Sequence, residues 1–241
     1  MKITVLTLFQ DMYEGFLNTS IIHRILEKNL AEIEIIDIRD YSFDKHRHVD
    51  DTPYGGGAGM LMKVDVVHRA LMENSGSKTH VILTSPKARP LTQDDLIRLS
   101  KEEEILIICG HYEGIDYRIE KYVDEKISIG DYILTGGELP SMVLIDGILR
   151  LLDEGISSDS LKEESYNNSL LEYPQYTRPV EYDGERVPDV LQNGNHAEIR
   201  RYNLKAALKE TLLYRPDLLE NRELNKEEKE LLEEIENELQ R

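Results

Sequence analysis

Short apolar runs alternate along this chain with stretches whose apolar residues recur at helical spacing. Residues 3–8 read as a first strand, and residues 33–38, where isoleucines interleave with acids, as a second. Between them Thr19 or Ser20 can cap a helix carrying Ile21, Ile22, Ile25, Leu26 and Leu30. Residues 41–61 break the rhythm, being polar and glycine-rich, and are predicted to form a long loop. A helix over 64–72 and a strand over 81–84 follow. The next helix opens at Thr92, with Asp95 three positions on in a capping-box place. Residues 105–109 are a nearly continuous apolar strand, residues 127–129 another strand, and a helix runs from about 140 to 153. Unbroken apolar strands separated by helices predict an α/β chain with a parallel sheet covered on both faces.

The rhythm fails after Gly155. Residues 157–175 are polar and poorly periodic and read as a linker that orders when something binds. A second region starts near Tyr176, with a helix over 195–213 and an acidic amphipathic helix over 226–239 that reads as a solvated face over a small core. The expected organisation is therefore a domain over 1–156, a linker over 157–175 and a helical domain over 176–241.

Composition narrows the class. A chain of 241 residues, 40% hydrophobic and 32% charged, can form one large domain or one with a small partner domain. No apolar run approaches the roughly 18 residues of a membrane helix, and the N-terminus reads as a strand, not a signal peptide, so a cytoplasmic protein without membrane contact is expected. Cys109 is the only cysteine, which excludes an intrachain disulfide and a cysteine-based zinc site. A net charge of −18 speaks against nucleic acid at face value, but residues 217–241 hold 10 acids against 4 bases, one third of the total. Positive charge collects instead at Arg178, Arg186, Arg200, Arg201, Lys205 and Lys209; the four-residue spacing of Arg201, Lys205 and Lys209 puts them on one helix face suited to phosphates, or simply to solvent.

Candidate chemistry lies at three strand ends, in residues 83–87, 109–114 and 129–140. Ligands of an open parallel sheet bind beyond the C-terminal ends of its strands, so three such loops can line one pocket. Gly136 and Gly137 leave no side chain between a flat ligand and the backbone. Residues 53–60, Pro-Tyr-Gly-Gly-Gly-Ala-Gly-Met, fail as a dinucleotide fingerprint and as a phosphate loop, yet also permit close backbone approach. His46 and His48 sit beside Asp50 and Asp51 without a zinc signature, so no metal site is expected from spacing. Cys109 closes an apolar strand and reads as an inert buried thiol.

Taken together, the stretch 53–60, Leu83-Thr84-Ser85-Pro86, the stretch from Cys109-Gly110-His111-Tyr112 to Asp116 and the stretch from Ser128-Ile129-Gly130-Asp131 to Pro140 resemble the bacterial tRNA (guanine-N1)-methyltransferases of the SPOUT superfamily. The likeness continues through residues 144–150, 170–179, 187–191 and 194–199, and so spans about residues 1–220. It implies an α/β domain with a deep trefoil knot, a small helical C-terminal domain, an obligate homodimer, and methyl transfer from S-adenosylmethionine to N1 of guanosine 37 of tRNA, bound across the subunit interface. The cofactor positions it implies are Ser85, Pro86, Gly110, Tyr112, Glu113, Gly114, Ile129, Gly130, Asp131, Tyr132, Ile133, Leu134, Gly136, Gly137 and Pro140. For tRNA the expected contacts are Gly56, Gly57, Gly59, Arg178, Arg200, Arg201 and Lys205. Magnesium dependence is a further implication for which residue spacing shows no site.

The chemistry needs a carboxylate to take the N1 proton and a cation or donor beside O6, where negative charge builds. The family pattern puts the second role on Arg150 and the first in the linker. There the family's usual Asp-Ser-Phe is replaced by Glu164-Ser165-Tyr166, which makes Glu164 the expected base, with Glu163, Asp159 and Glu172 as alternatives. His111 stands where arginine is common in the family. A knotted methyltransferase acting on ribosomal RNA and a non-catalytic RNA-binding module are the competing readings; residues 55–59 and Thr177-Arg178-Pro179 favour the tRNA enzyme.

Overall fold

Alternate residues of the central strands are buried on opposite sides of one sheet, which is why their sequences read as unbroken apolar runs. In the computed structural model, which describes residues 1–152, 170–220 and 222–240, the chain divides into two units, residues 1–156 and 157–241. The first unit contains β1 (Lys2–Thr7), β2 (Glu32–Asp37), β3 (Asp50–Asp51), β4 (Leu61–Met62), β5 (Thr79–Thr84), β6 (Glu104–Cys109) and β7 (Glu125–Ile127). Five of these form a parallel sheet in the order β2-β1-β6-β5-β7. Its helices are α1 (Glu14–Leu17), α2 (Ser20–Glu27), α3 (Val64–Asn74), α4 (Gln93–Leu99) and α5 (Glu138–Leu149).

Ile3, Val5, Ile82, Ile105 and Ile107 face one side, where Ile22 and Ile25 of α2, Leu99 of α4 and Leu144, Ile145 and Ile148 of α5 cover them. Leu6, Val81, Leu83, Leu106 and Ile108 face the other, under Val66, Val67, Ala70 and Leu71 of α3. Thr92 and Asp95 form the capping box expected of α4, and Arg89 donates to the Asp95 carboxylate at 2.6 Å. That guanidinium holds the Asp95 carboxyl well below the usual carboxylate range.

Three boundaries differ from the sequence reading. β7 ends at Ile127 where a strand over 127–129 was expected: its partner β5 stops at Thr84, and Ser128 N donates instead to Arg89 O at 3.2 Å. α5 starts at Glu138, capped by Gly137, and ends at Leu149; Pro140 sits inside its first turn, where a missing N–H costs nothing. The stretch 41–61 is not all loop, because β3 and β4 pair antiparallel and close the glycine segment between them.

The second unit contains a short antiparallel pair, β8 (Glu181–Tyr182) and β9 (Glu185–Arg186), then α6 (His196–Tyr214), α7 (Pro216–Glu220) and α8 (Lys226–Leu239). Asn195 caps α6 by accepting from Ala197 N and Glu198 N, and Asn225 caps α8 in a box with Glu228. Leu208 of α6 and Leu231 and Ile235 of α8 are fully buried and form its core. Leu170, in the stretch read as linker, packs against that core, and Leu171 N donates to Thr211 Oγ1 at 2.9 Å.

Candidate cofactor and substrate site

The site is built where β5, β6 and β7 end. In the sheet β5 separates β6 from β7, yet the segment after β7 turns back and lies beside the segment after β6. Gly137 N donates to Gly110 O at 2.8 Å, and Gly136 bridges His111. Only glycine allows this crossing. A Cβ on Gly137 would lie 2.2 Å from Thr84 Oγ1 and 2.7 Å from Cys109 Cα, closer than any side chain tolerates. The loop after β6 is held in an uncommon conformation, with Tyr112 at φ +57° and Gly114 at φ +127°.

These loops enclose a cavity of about 620 Å³, ample for a nucleoside-sized ligand. Ser85 and Pro86 line it from β5; Gly110 and Tyr112 to Gly114 from β6; Ile129, Gly130, Tyr132 to Leu134, Gly136, Gly137 and Pro140 from the segment after β7. Asp131, expected among them, is exposed and is not part of the lining. The structure adds Tyr117 and Glu120, which follow the quoted motifs and are turned back to the cavity by a 3-10 helix over Tyr117–Tyr122. Nothing in their spacing signalled this. Glu113 and Glu120 put carboxylates at the wall, and Glu120 is bonded to Lys126 at 2.9 Å. His111 also lines the cavity, its ring 4.9 Å from Phe9 and edge-on to Tyr112.

The glycine stretch is tied to the rim. Glu113 N donates to Met60 O at 3.0 Å, and Met62 N to Gly114 O at 2.9 Å. A Cβ on Gly59 would meet Glu113 Cγ at 2.4 Å, whereas one on Gly56 would meet nothing within 4 Å and one on Gly57 only Pro53 Cγ at 3.8 Å, and Tyr54 is fully exposed.

Behind the cavity lies a buried polar cluster. Thr7 Oγ1 donates to Glu138 Oε1 at 2.7 Å, and Ser141 Oγ donates to Glu138 O at 2.7 Å. The Tyr13 hydroxyl reaches Ser141 Oγ at 2.5 Å and Cys109 Sγ at 3.5 Å. Burial pushes the Cys109 thiol up to about 12 and raises the Tyr13 phenol, so both stay neutral and Cys109 is the inert thiol expected.

The remaining candidates lie elsewhere. Arg150 is the half-buried C-cap of α5, about 15 Å along the helix axis from Pro140 at the cavity. Glu164, Glu163 and Asp159 fall outside the described residues; Glu172 is exposed and accepts from Gln175 Nε2. Arg178 is exposed in the second unit. Arg200, Arg201 and Lys205 do not stand in open solvent as bare cations: each is bonded to a glutamate of α8. Among the described residues no group of three His, Cys, Asp or Glu is placed to hold a metal ion, and no helix is long and apolar enough to cross a membrane.

Comparison with known proteins gives a consistent result. Residues 1–221 match the family described as tRNA (Guanine-1)-methyltransferase TrmD. A tRNA (guanine-N(1)-)-methyltransferase of Syntrophomonas wolfei is 53% identical over 237 residues, covering 98% of this chain and 97% of that protein. One from Fusobacterium nucleatum is 51% identical over 239 residues, covering 99% of each, and one from Dictyoglomus turgidum is 46% identical over 240 residues, covering 99% of this chain and 98% of that protein. Both the family match and these relatives run through all three strand-end loops of the cavity, and the chain belongs to the tRNA (guanine-1)-methyltransferase family.

Proposed function

We propose that this protein transfers a methyl group from S-adenosylmethionine to N1 of guanosine 37 in tRNA, as a cytoplasmic homodimer with a trefoil knot at the cofactor site. The observation that carries the reading is the single cavity into which β5, β6 and β7 deliver the family's cofactor motifs. Its glycine-lined backbone suits an adenine edge, and Glu113 suits a cationic group. When bound, S-adenosylmethionine supplies an electrophilic methyl on a sulfonium. Glu164 takes the N1 proton, Arg150 donates to O6, and the remaining requirement is in-line positioning.

The dimer is supported by the surface beside the cavity. Leu139 and Val143, one turn apart on α5, are 50% and 48% exposed, and Ile133 at the cavity wall is 79% exposed. An apolar patch of this kind suits a subunit interface. A dimer also resolves the position of Arg150, whose side chain cannot span about 15 Å to its own cavity and so would serve the partner's.

The test is transfer of labelled methyl to two tRNA transcripts differing only in guanosine or adenosine at position 37. Label on the guanosine transcript alone is the expected result. Glu164→Gln should abolish transfer while cofactor binding persists. Cofactor binding by the wild type without label on either transcript would instead favour a non-catalytic RNA-binding protein or another RNA substrate.

A further inference from the structure

The cations of α6 are each bonded to the acidic helix that follows them. Arg200 Nη2 donates to Glu227 at 2.8 Å, and Lys205 Nζ to Glu238 Oε1 at 2.8 Å. Glu234 bridges two of them: Arg201 Nη2 donates to its Oε1 at 2.7 Å and Lys205 Nζ to its Oε2 at 2.9 Å. Arg201, Lys205 and Glu234 line an open recess of about 330 Å³ together with Tyr202, Val190 and Glu198. The two oxygens of Glu234 thus stand where the two non-bridging oxygens of a phosphodiester would meet the same pair of cations.

We infer that this recess is an RNA phosphate site whose resident counter-charge is Glu234, and that α8 neutralises the α6 cations until RNA displaces its carboxylates. The inference rests on the reading that α6 faces tRNA. The apolar side of α8 is anchored by Leu231 and Ile235, so the helix keeps its place without depending on the ion pairs, and its glutamate side chains are what phosphates displace. The Arg201–Glu234 pair is half exposed, at 45% and 43%, and such pairs contribute little and exchange readily, whereas Lys205 is more covered, at 26%. Displacing a fixed carboxylate releases no net counterion from the protein side, because the freed glutamate takes up a cation as the phosphate loses one. The wild-type protein should therefore bind RNA more weakly, and with a flatter salt dependence, than its count of cations suggests. Strong phosphate ligands arranged along tRNA would still compete, while scattered non-target contacts would not.

The experiment measures equilibrium binding of a tRNA transcript by the full chain over a salt series, with methyl transfer to the same transcript followed in parallel. The bridging variant is Glu227→Gln/Glu234→Gln/Glu238→Gln. The control, Glu230→Gln/Glu233→Gln/Glu236→Gln, removes the same charge from the same helix at positions that make no hydrogen bond to α6 among those of the described residues. Both retain the Asn225–Glu228 cap and the buried Leu231 and Ile235. The bridging variant should bind several-fold tighter than the control at low salt, with a slope of log K against log salt steeper by about 2, for three freed cations. Arg201→Gln/Lys205→Gln should weaken binding. Equal behaviour of the bridging variant and the control overturns the inference. If Arg201→Gln/Lys205→Gln also leaves affinity unchanged, α6 does not face tRNA at all; normal methyl transfer in that case keeps the enzymatic reading intact.

Discussion

A single hydrogen in place of a methyl group decides whether the cavity can form. Gly137 lies against Thr84, Cys109 and Gly110 at distances that leave no room for a Cβ, and two of those neighbours present backbone atoms that cannot step aside. Gly110, a few ångströms away, would place a Cβ 3.6 Å from Ile115 Cγ1, an ordinary contact. Gly137→Ala should accordingly cost about 1–3 kcal/mol in chemical denaturation, and Gly110→Ala well under 1 kcal/mol. Equal costs would show that the crossing of the two loops is not what Gly137 is needed for. Both residues stand in glycine-bearing motifs, and nothing in the spacing distinguishes them; the difference comes from which strand end each one faces.

Among the elements, α4 was the most legible, because its capping box is a local code written in residues 92–95. What the code did not contain is Arg89, which reaches the same carboxylate from outside the helix. Asp95→Asn removes a charged partner from that guanidinium and from Thr92, and should lower the unfolding free energy by roughly 1–3 kcal/mol at neutral pH. Because the folded carboxyl titrates below its unfolded value, this stabilisation is present above the unfolded pKa and is lost as pH falls. Denaturation of wild type and Asp95→Asn should thus differ most at neutral pH and converge progressively below about pH 4. A gap that persists in acid would assign the effect to shape and not charge. β7 was legible only in part, expected over 127–129 and found over Glu125–Ile127 because β5 ends at Thr84, and the short pairs β3–β4 and β8–β9 were not read at all.

For the whole molecule, the separation of Arg150 from the cavity of its own chain makes a dimer testable through chemistry as well as mass. Gly110→Leu should fill the cavity, since its Cβ enters without a clash. Neither Gly110→Leu nor Arg150→Ala should transfer methyl groups alone. Mixed by unfolding and refolding together, the two should regain about a quarter of wild-type activity, because half of random dimers are heterodimers and each of these has one intact cavity served by an intact Arg150. No recovery, with heterodimers present, would place Arg150 in the service of its own chain or outside the reaction.

Alternating apolar runs and helical periods were enough to establish an α/β chain with a covered parallel sheet, since burial on two faces is a constraint each strand must satisfy by itself. Long ordered motifs likewise carried the family, because backbone geometry at Gly114 and Gly130 restricts the residues allowed there. The order β2-β1-β6-β5-β7 and the return of the segment after β7 to the end of β6 were decided only in three dimensions. So were the placement of Tyr117 and Glu120 in the cavity wall and the pairing of α6 cations with α8 carboxylates. Each depends on contacts between residues far apart in the chain, whose energies come from neighbours that no local window contains. A helix face of arginine and lysine looks the same in sequence whether it meets water, a phosphate or its own glutamates; packing of Leu208 against Leu231 and Ile235 chose the last.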